Sequence, residues 1–245
     1  TSKEINLNKN IFQSIPPVEL QRELMFRHVD SLILQDPDPC VMIIYDTSTE
    51  NVKEELLKRF PYAELIDTDL TMGLVDPEIT DSLLVEQKNN LVFLESQNLN
   101  IITSVSSLLN SQISKERNIN MLSSYRSETY ENENISFQHL GNLKFTYPTY
   151  FYPKYDEELN ELNDLFFENF GKLPNKIVIR AYEITLDLIL RSAFRRKLVK
   201  SINIGETKYY QNRFKYKKLN NGYINESVLL IQHDDLDVFE ITSEK

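Results

Sequence analysis

The sequence predicts an α/β fold built on a doubly wound parallel sheet, followed by a C-terminal helix and a β-hairpin. Short, continuously apolar segments alternate along most of the chain with segments whose apolar residues have helical spacing. Strands that are apolar on both faces and separated by helices are typical of a parallel sheet covered on both sides. The composition agrees, because 245 residues with 41% hydrophobic and 26% charged side chains can bury a sizeable core.

The first predicted elements are a helix, a strand and a second helix. Pro16 and Pro17 suit the first turn of a helix, and an amphipathic series follows at Leu20, Leu24, His28 and Leu32. Residues 40–45 form a continuous apolar run that predicts a buried strand. Within residues 51–60 an apolar side chain recurs every four positions, which is the spacing of one helical face.

The same alternation continues through the middle of the chain. Residues 64–67 predict a short strand, and Asp76 has the position of an N-cap before the next helix. The apolar run 91–94 predicts a strand, residues 101–109 repeat with helical spacing, and 119–122 predict a further strand.

Two more features complete the predicted sheet. The stretch 123–134 is polar and has no periodicity, so we expect a loop. Leu143, Phe145 and Tyr147 alternate with polar residues, which predicts a strand there.

The C-terminal third has a different pattern. Apolar residues from Leu159 to Phe170 indicate an amphipathic helix that ends at Gly171, since glycine is a common helix terminator. A second helix is predicted from Lys176 to about Arg196. It is apolar on most sides, and such a helix needs a partner surface on more than one side.

A hairpin is predicted after these helices. The sequence 220–222 is Asn-Asn-Gly, which favours a tight turn, and it lies between the strand candidates 214–216 and 227–231. Residues 238–241 predict a last strand.

The charge and the cysteine content exclude several classes of protein. With 27 Lys and Arg residues against 37 Asp and Glu residues, the net charge is −10, which argues against a nucleic-acid binder. Cys40 is the single cysteine, so neither an internal disulfide nor a cysteine-based metal site is possible. No run approaches the roughly 20 apolar residues of a membrane span.

Candidate ligand-binding residues follow from the predicted sheet. In doubly wound sheets, ligands bind outside the carboxyl ends of the strands. The polar residues predicted at this edge are Tyr45, Asp46, Glu95, Ser96, Ser123 and Tyr125.

Two of these candidates have an alternative role. Asp46 is placed either to bind an ammonium group or a metal or to cap the helix near Asn51, and helix capping is favoured. Glu95 is placed either to meet a ligand amine or to cap the helix near Gln97, and these two interpretations are evenly balanced.

The sequence predicts no catalytic set, no metal site and no cofactor. It contains no Gly-x-Ser-x-Gly elbow, no Gly-x-Gly-x-x-Gly and no P-loop. The three histidines lie far apart, and the acidic run 234–237 lacks the glycine of an EF-hand. One basic cluster is present, and we interpret it mainly as charge that suits a helix C-terminus, with contact to an anionic wall polymer or a partner as the lesser alternative: Arg191, Arg195, Arg196, Lys197 and Lys200.

Three local patterns occur in a fixed order toward the C-terminus. Residues 166–175 form a Phe-rich helix followed by Gly and Pro, the next pattern is Ala181-Tyr182-Glu183-Ile184, and residues 214–225 form a strand, a glycine turn and an Asn. Together with the order of elements, they resemble the type I periplasmic substrate-binding proteins, the leucine/isoleucine/valine-binding family. Residues 10–16 are similar to the crossover by which that fold enters its second lobe.

The resemblance implies a fold of two α/β lobes, each flavodoxin-like, that close around a ligand. Residues 1–172 would then form the second lobe, and residues 173–245 would return to an incomplete first lobe. The patterns also resemble a group in which such a domain follows LysM peptidoglycan-binding repeats. This implies a bacterial periplasmic or cell-envelope location.

The expected function is therefore non-enzymatic binding of a small molecule, such as an amino acid or a peptide. Two alternatives remain open: a degenerate lobe that serves as a protein-interaction or cell-wall scaffold, and an enzyme on a flavodoxin-like sheet. The apolar helix from Lys176 also favours packing against missing sequence or against another copy of the chain, and therefore either a fragment or a dimer.

Overall fold

The computed structural model describes residues 3–36, 38–68, 74–153, 160–195 and 198–241. The chain divides into two compact units. Unit 1 contains Thr1–Gln21 and Thr149–Leu229, and unit 2 contains Arg22–Pro148 and Leu230–Lys245. The predicted division into residues 1–172 and 173–245 concerns the lobes of the resembled family, and it stays a prediction.

Among the described residues, helices and strands alternate up to residue 149, and two α-helices and then six strands follow. The α-helices are α1 (Val18–Gln35), α2 (Glu50–Arg59), α3 (Pro77–Leu83), α4 (Leu99–Ser111), α5 (Phe137–Asn142), α6 (Asn160–Phe170) and α7 (Lys176–Arg195). The strands are β1 (Phe12–Gln13), β2 (Cys40–Tyr45), β3 (Glu64–Asp67), β4 (Asn89–Glu95), β5 (Asn118–Leu122), β6 (Thr146–Thr149), β7 (Thr207–Lys208), β8 (Arg213–Phe214), β9 (Tyr216–Leu219), β10 (Gly222–Asn225), β11 (Leu229–Asp234) and β12 (Asp237–Glu240).

Unit 2 contains the predicted doubly wound sheet. Among the described residues its strand order is β12-β11-β6-β5-β4-β2-β3. Strands β3, β2, β4, β5 and β6 pair in parallel, while β11 and β12 pair antiparallel at one edge. The chain passes from β2 to β3 on one side and then back to β4 on the other side of β2, so the strand order reverses there, as in flavodoxin-like sheets.

The apolar strands are buried on both faces, as the sequence predicts. From Val41 to Ile44 no side chain of β2 is more than 2% exposed, and Leu91 to Leu94 of β4 are fully buried. Phe60, which follows α2, stacks on Phe93 at 5.6 Å between ring centroids. The α/β class and the mainly parallel sheet are therefore confirmed.

One strand of unit 2 begins later than predicted. Leu143 and Phe145 are fully buried, as the alternating pattern requires, but Leu143 forms the C-cap of helix α5. Ser136 caps the start of α5 by accepting a hydrogen bond from the His139 main-chain N–H. A turn at Lys144, which has a φ of 47°, then leads into β6. Leu143 and Phe145 follow the alternating pattern because they are buried, although neither belongs to a strand. The predicted start of the strand at Leu143 was therefore wrong.

The predicted hairpin is correct in its turn but wrong in its second strand. Asn220 has a φ of 54°, and the turn pairs Leu219 with Gly222, so the strand that returns antiparallel to β9 is β10. A turn of two residues brings the immediately following segment into register. The segment expected as the partner, 227–231, contributes instead to β11 in the sheet of unit 2.

Helix α7 of unit 1 buries charged side chains. Glu183, Asp187 and Arg191 lie four residues apart and are at most 2% exposed. Arg191 Nε donates to both carboxylate oxygens of Asp187, at 3.0 and 2.8 Å. The rest of the Arg191 guanidinium donates to acceptors that include the main-chain oxygens of Ser201 and Phe214.

This buried pair corrects the interpretation of the basic cluster. Arg191 is an interior partner of Asp187, because its guanidinium has acceptors on several sides, and it is therefore not part of a surface patch. Arg195 and Lys200 are exposed. Arg196 and Lys197 lie outside the described residues, as does Leu159 of the predicted helix before Gly171.

Gly141 of α5 provides a test of the packing in unit 2. A Cβ atom at this position would lie 1.9 Å from the main-chain oxygen of Asp235, in the turn between β11 and β12. In an open helix Gly→Ala stabilises by about 1 kcal/mol. Here we expect Gly141→Ala to lower the free energy of unfolding by about 2 kcal/mol, because the turn must shift. Urea denaturation monitored by circular dichroism measures this.

Gln138→Ala, at an exposed position of the same helix, is the matched control and should change the free energy of unfolding by less than about 0.5 kcal/mol. An unchanged or higher urea midpoint for Gly141→Ala would show that the turn does not pack against α5 as described.

Candidate ligand-binding site

The carboxyl ends of β2 and β4 meet at the point where the strand order of unit 2 reverses. Tyr45 pairs in register with Glu95 on one side and with Asp67 on the other. Asp46 and Ser96 are therefore the first residues beyond two neighbouring strands. In open α/β sheets, this reversal forms the crevice in which ligands bind.

Asp46 is a helix cap in the structure. Its side chain is 1% exposed, and Oδ1 accepts from the Ser48 main-chain N–H at 2.8 Å. Thr49 Oγ1 in turn accepts from the Asp46 main-chain N–H at 3.2 Å, which completes a capping box for the 3-10 turn Thr47–Thr49 that leads into α2. Asp46 therefore caps the 3-10 turn before α2, whereas α2 itself, the helix near Asn51, has Thr49 as its N-cap. The role of Asp46 in ligand binding stays a prediction.

Asp46 also joins the two strand ends. Its Oδ2 accepts a hydrogen bond from Ser96 Oγ at 2.5 Å, and the Ser96 hydroxyl accepts from the main-chain N–H of Asn98 at 3.0 Å. The structure thus brings together two of the predicted site residues. Both are buried.

Glu95 is a buried carboxyl group without a cationic hydrogen-bond partner among the described residues. Its side chain is 3% exposed, and Oε1 accepts from the Ser124 main-chain N–H at 2.6 Å. Burial raises the pKa of Glu95 to about 7, although the Ser124 hydrogen bond and the charge of Arg22 act in the opposite direction.

Glu95 does not cap the following helix. Helix α4 has Asn98 as its N-cap, and Asn98 Oδ1 accepts from the main-chain N–H of Asn100 at 2.9 Å. Of the two interpretations of Glu95, capping is therefore wrong. Its carboxyl group instead contacts the residue that follows the neighbouring strand β5.

The remaining candidates lie close to these strand ends. Ser123 Oγ donates to the main-chain oxygen of Tyr125 at 2.9 Å, so it shapes the turn after β5. The Tyr125 side chain is 39% exposed and is accessible to a ligand. The Tyr45 ring is partly buried, and Lys53 Nζ lies 4.5 Å from its centroid.

Sequence reasoning missed a buried polar cluster near Glu95, formed by Arg126, Tyr130 and His233. Four buried atoms of its described residues lack a hydrogen-bond partner: Arg126 Nε, Tyr130 OH, His233 Nδ1 and His233 Nε2. Native proteins leave few such atoms unpaired, so a concentration of them requires an explanation. These residues come from a polar loop and a distant strand, and no local pattern connects them.

The groups in this cluster influence one another electrostatically. Burial and the Glu95 charge raise the pKa of Tyr130, so its hydroxyl stays protonated. Burial and the Arg126 charge lower the pKa of His233 to about 4, so its imidazole is neutral at pH 7. Arg126 pairs with Glu131 at 3.1 Å and lies 4.9 Å from the centroid of the Tyr147 ring. The cluster therefore combines neutral donors and acceptors with one cation.

Neither a metal site nor a membrane helix is found in the described ranges. No three His, Cys, Asp or Glu side chains in them lie close enough to hold a metal ion. None of the described helices combines the length and the apolar character that crossing a membrane requires.

Comparison with solved structures identifies the fold. The chain is similar to the periplasmic ligand-binding protein of a branched-chain amino acid ABC transporter from Burkholderia xenovorans LB400, with a TM-score of 0.60 and 9% sequence identity. The similarity covers 97% of this chain and 72% of that chain. The fold is that of the type I periplasmic binding proteins with one lobe incomplete. No protein-family model matches the sequence, and no curated protein matches it either.

The raised pKa of Glu95 predicts a pH-dependent stability. Between about pH 4.5 and 7 the carboxyl group ionises in the unfolded chain but stays protonated in the folded one, so stability decreases as the pH rises. Glu95→Gln removes this penalty. Relative to the unsubstituted protein, the variant should gain about 3 kcal/mol between pH 4.5 and pH 8. Urea denaturation at a series of pH values measures the difference.

Glu54→Gln, on the exposed face of α2, is the control, and its difference from the unsubstituted protein should be nearly independent of pH. If the difference in free energy of unfolding between Glu95→Gln and the unsubstituted protein is also independent of pH, Glu95 is solvated and has an ordinary pKa.

Proposed function

We propose that this chain is a non-enzymatic ligand-binding domain of the periplasmic-binding-protein type. It recognises a small molecule that carries an ammonium group, such as an amino acid or a short peptide, at the carboxyl edge of β2, β4 and β5. The observation that carries this proposal is the buried Glu95 carboxyl group, which has one main-chain donor and no cationic hydrogen-bond partner among the described residues.

The electrostatics of Glu95 support an ammonium ligand. A buried carboxylate is costly unless a cation and hydrogen bonds stabilise it. The Glu95 carboxyl group is poised near pH 7 between its protonated and ionised forms. An arriving ammonium group favours the ionised form and lowers the pKa, so ligand binding releases a proton.

The neighbouring side chains supply the other contacts in this proposal. Tyr125 and Tyr45 offer aromatic surface beside the strand ends. The Tyr130 hydroxyl, which lacks a partner, offers a buried acceptor and donor near Glu95. Ser96 and Ser123 offer hydroxyls, and Asp46 orients Ser96.

The fold supports the same class of function. The similar Burkholderia structure is described as a periplasmic ligand-binding protein of a branched-chain amino acid transporter. By this similarity we propose an amino acid or a peptide as the ligand, and a periplasmic or cell-envelope location. No catalytic residue and no cofactor is part of the proposal. The LysM association implied by the resemblance stays a prediction.

A second candidate function is a protein-interaction scaffold. Exposed apolar side chains on α6 and α7 of unit 1 favour it, because soluble monomers seldom expose so many large apolar groups together. Small-molecule binding distinguishes the two candidates.

The proposal is tested by calorimetry with the natural amino acids and dipeptides. We expect at least one of them to bind and to release about half a proton per molecule at pH 7, because Glu95 is then about half protonated. Titrations in phosphate and in Tris measure proton release, since the two buffers differ in ionisation enthalpy. Glu95→Gln should weaken binding at least tenfold and abolish the proton release.

Glu54→Gln should bind with unchanged affinity and proton release. If no amino acid or dipeptide binds, or if Glu95→Gln binds as tightly as the unsubstituted protein, this ligand class is wrong.

A further inference from the structure

The Glu95 side chain faces the layer formed by α1 and α2. Alternate residues of a strand point to the same face of a sheet, so Glu95 shares a face with Phe93. Phe93 belongs to a buried apolar cluster, and Tyr45, which pairs in register with Glu95, packs against this cluster. The cluster joins that face of the sheet to α1, to α2 and to the residue after α2 through Met25, Phe26, Val29, Val52, Leu56 and Phe60.

An ion pair connects the same two helices. Arg22 lies three residues before Met25 and seven before Val29, so it is on the side of α1 that packs against the sheet. Arg22 Nη1 donates to Glu55 Oε2 of α2 at 2.6 Å. The Arg22 side chain is 17% exposed and that of Glu55 is 41% exposed, so the pair reaches from the interior to the surface.

Arg22 has a donor that this ion pair does not use. Its Nε atom is buried and has no hydrogen-bond partner among the described residues. The same is true of Arg117 and Arg126, each of which also pairs with a carboxylate through Nη1. What distinguishes Arg22 is that its charge acts on the buried carboxyl group of Glu95.

The two charges of the ion pair act on Glu95 in opposite directions. Burial raises the pKa of Glu95 to about 7, while the Arg22 charge lowers this pKa and the Glu55 charge raises it. Further titratable side chains at this edge of the sheet are Tyr45 and Asp46 after β2, Lys53 of α2 over the Tyr45 ring, and Tyr130 of the loop after β5. Of these groups and the ion pair, Arg22 is the cation that acts on Glu95.

Glu55 and Glu95 therefore compete for one guanidinium group. An arginine carries five N–H donors, so it can pair with either carboxylate. Pairing with Glu95 would compensate a charge inside the protein, whereas pairing with Glu55 involves a partly solvated charge. A pair between Arg22 and Glu95 would also occupy the carboxylate that the ammonium group of the ligand needs.

We propose that Glu55 is a positioning residue for the ligand site: it holds the Arg22 guanidinium and thereby leaves the Glu95 carboxyl group free for the ammonium group of the ligand. The part of this proposal that concerns the ligand rests on the proposed function. The part that concerns Arg22 and Glu55 is tested without a ligand.

An NMR pH titration of the Glu95 carboxyl carbon in four ¹³C-labelled proteins tests the competition. They are the unsubstituted chain, Glu55→Gln, Arg22→Gln and the double variant with both substitutions. In Glu55→Gln the released guanidinium should pair with Glu95 and lower its titration midpoint by at least about one pH unit. Arg22→Gln should raise the midpoint by less than about 0.3 pH units, because Glu55 is partly solvated.

The double variant separates release of Arg22 from a simple loss of the Glu55 charge. It has no guanidinium to release, so its Glu95 midpoint should lie within about 0.3 pH units of the unsubstituted value, and the two single shifts should not add. Circular dichroism confirms that each variant is folded. An unchanged midpoint in Glu55→Gln overturns the proposal. Additive shifts overturn it as well, because the two charges then act separately.

Calorimetry at pH 7 with the natural amino acids and dipeptides tests the effect on the ligand. Glu55→Gln should weaken binding at least tenfold and abolish proton release, because Arg22 then occupies an already ionised Glu95. The double variant should recover both the affinity and the proton release. If Glu55→Gln binds as tightly as the unsubstituted protein, Glu55 does not position the site.

Glu54→Gln, at the neighbouring exposed position of α2, is the matched control, and its Glu95 midpoint and ligand affinity should stay unchanged. If no amino acid or dipeptide binds any of these proteins, the proposed function fails. The NMR titrations then still decide whether Glu55 keeps Arg22 away from Glu95.

Discussion

The candidate site depends on the parallel pairing of β2 with β4. These strands are in register from Cys40 with Asn90 to Tyr45 with Glu95, although the chain visits β3 between them. A parallel pair cannot be joined by a tight turn, so each strand end continues into a helix-containing connection. At the carboxyl edge those connections start beside each other, and the polar residues that begin them share one small region. Asp46, Glu95 and Ser96 come together for this reason.

Buried carboxyl groups occur in both units, but with different surroundings. Asp187 of unit 1 accepts hydrogen bonds from Arg191, Thr207 and Tyr209, so its charge is stabilised within the fold. Glu95 of unit 2 has a main-chain donor and no hydrogen-bonded cation in the described part of the chain, and burial raises its pKa to about 7. A carboxylate that accepts several hydrogen bonds within the fold stabilises the structure. A carboxyl group whose pKa is near 7 can change its protonation state when a cation arrives. We propose that this contrast distinguishes the structural carboxylate Asp187 from the ligand-binding carboxyl group Glu95.

Local signals in the sequence predicted much of the fold. The strand at residues 40–45 was predicted to the residue because its apolar run is continuous, and Asp76 was correctly assigned as an N-cap because Pro77 follows it. Helix α5 was missed because six residues are too few for a periodic pattern. The second strand of the hairpin was misassigned because 227–231 is more apolar than Gly222–Asn225, and apolarity does not determine which strand pairs with which.

The sequence also predicted part of the candidate site, namely the residues at the strand ends but not the contacts between distant segments. Positions just beyond apolar strands were identified, and Asp46 and Glu95 lie where the sheet rule places them. The roles of Ser124, Tyr130 and His233 depend on contacts between distant segments, which no local spacing encodes.

The most direct test of the account is an NMR titration of the Glu95 carboxyl carbon in uniformly ¹³C-labelled protein, assigned with the Glu95→Gln variant. The account predicts a midpoint near pH 7. A midpoint near the ordinary glutamate value, about 4.3, would contradict it.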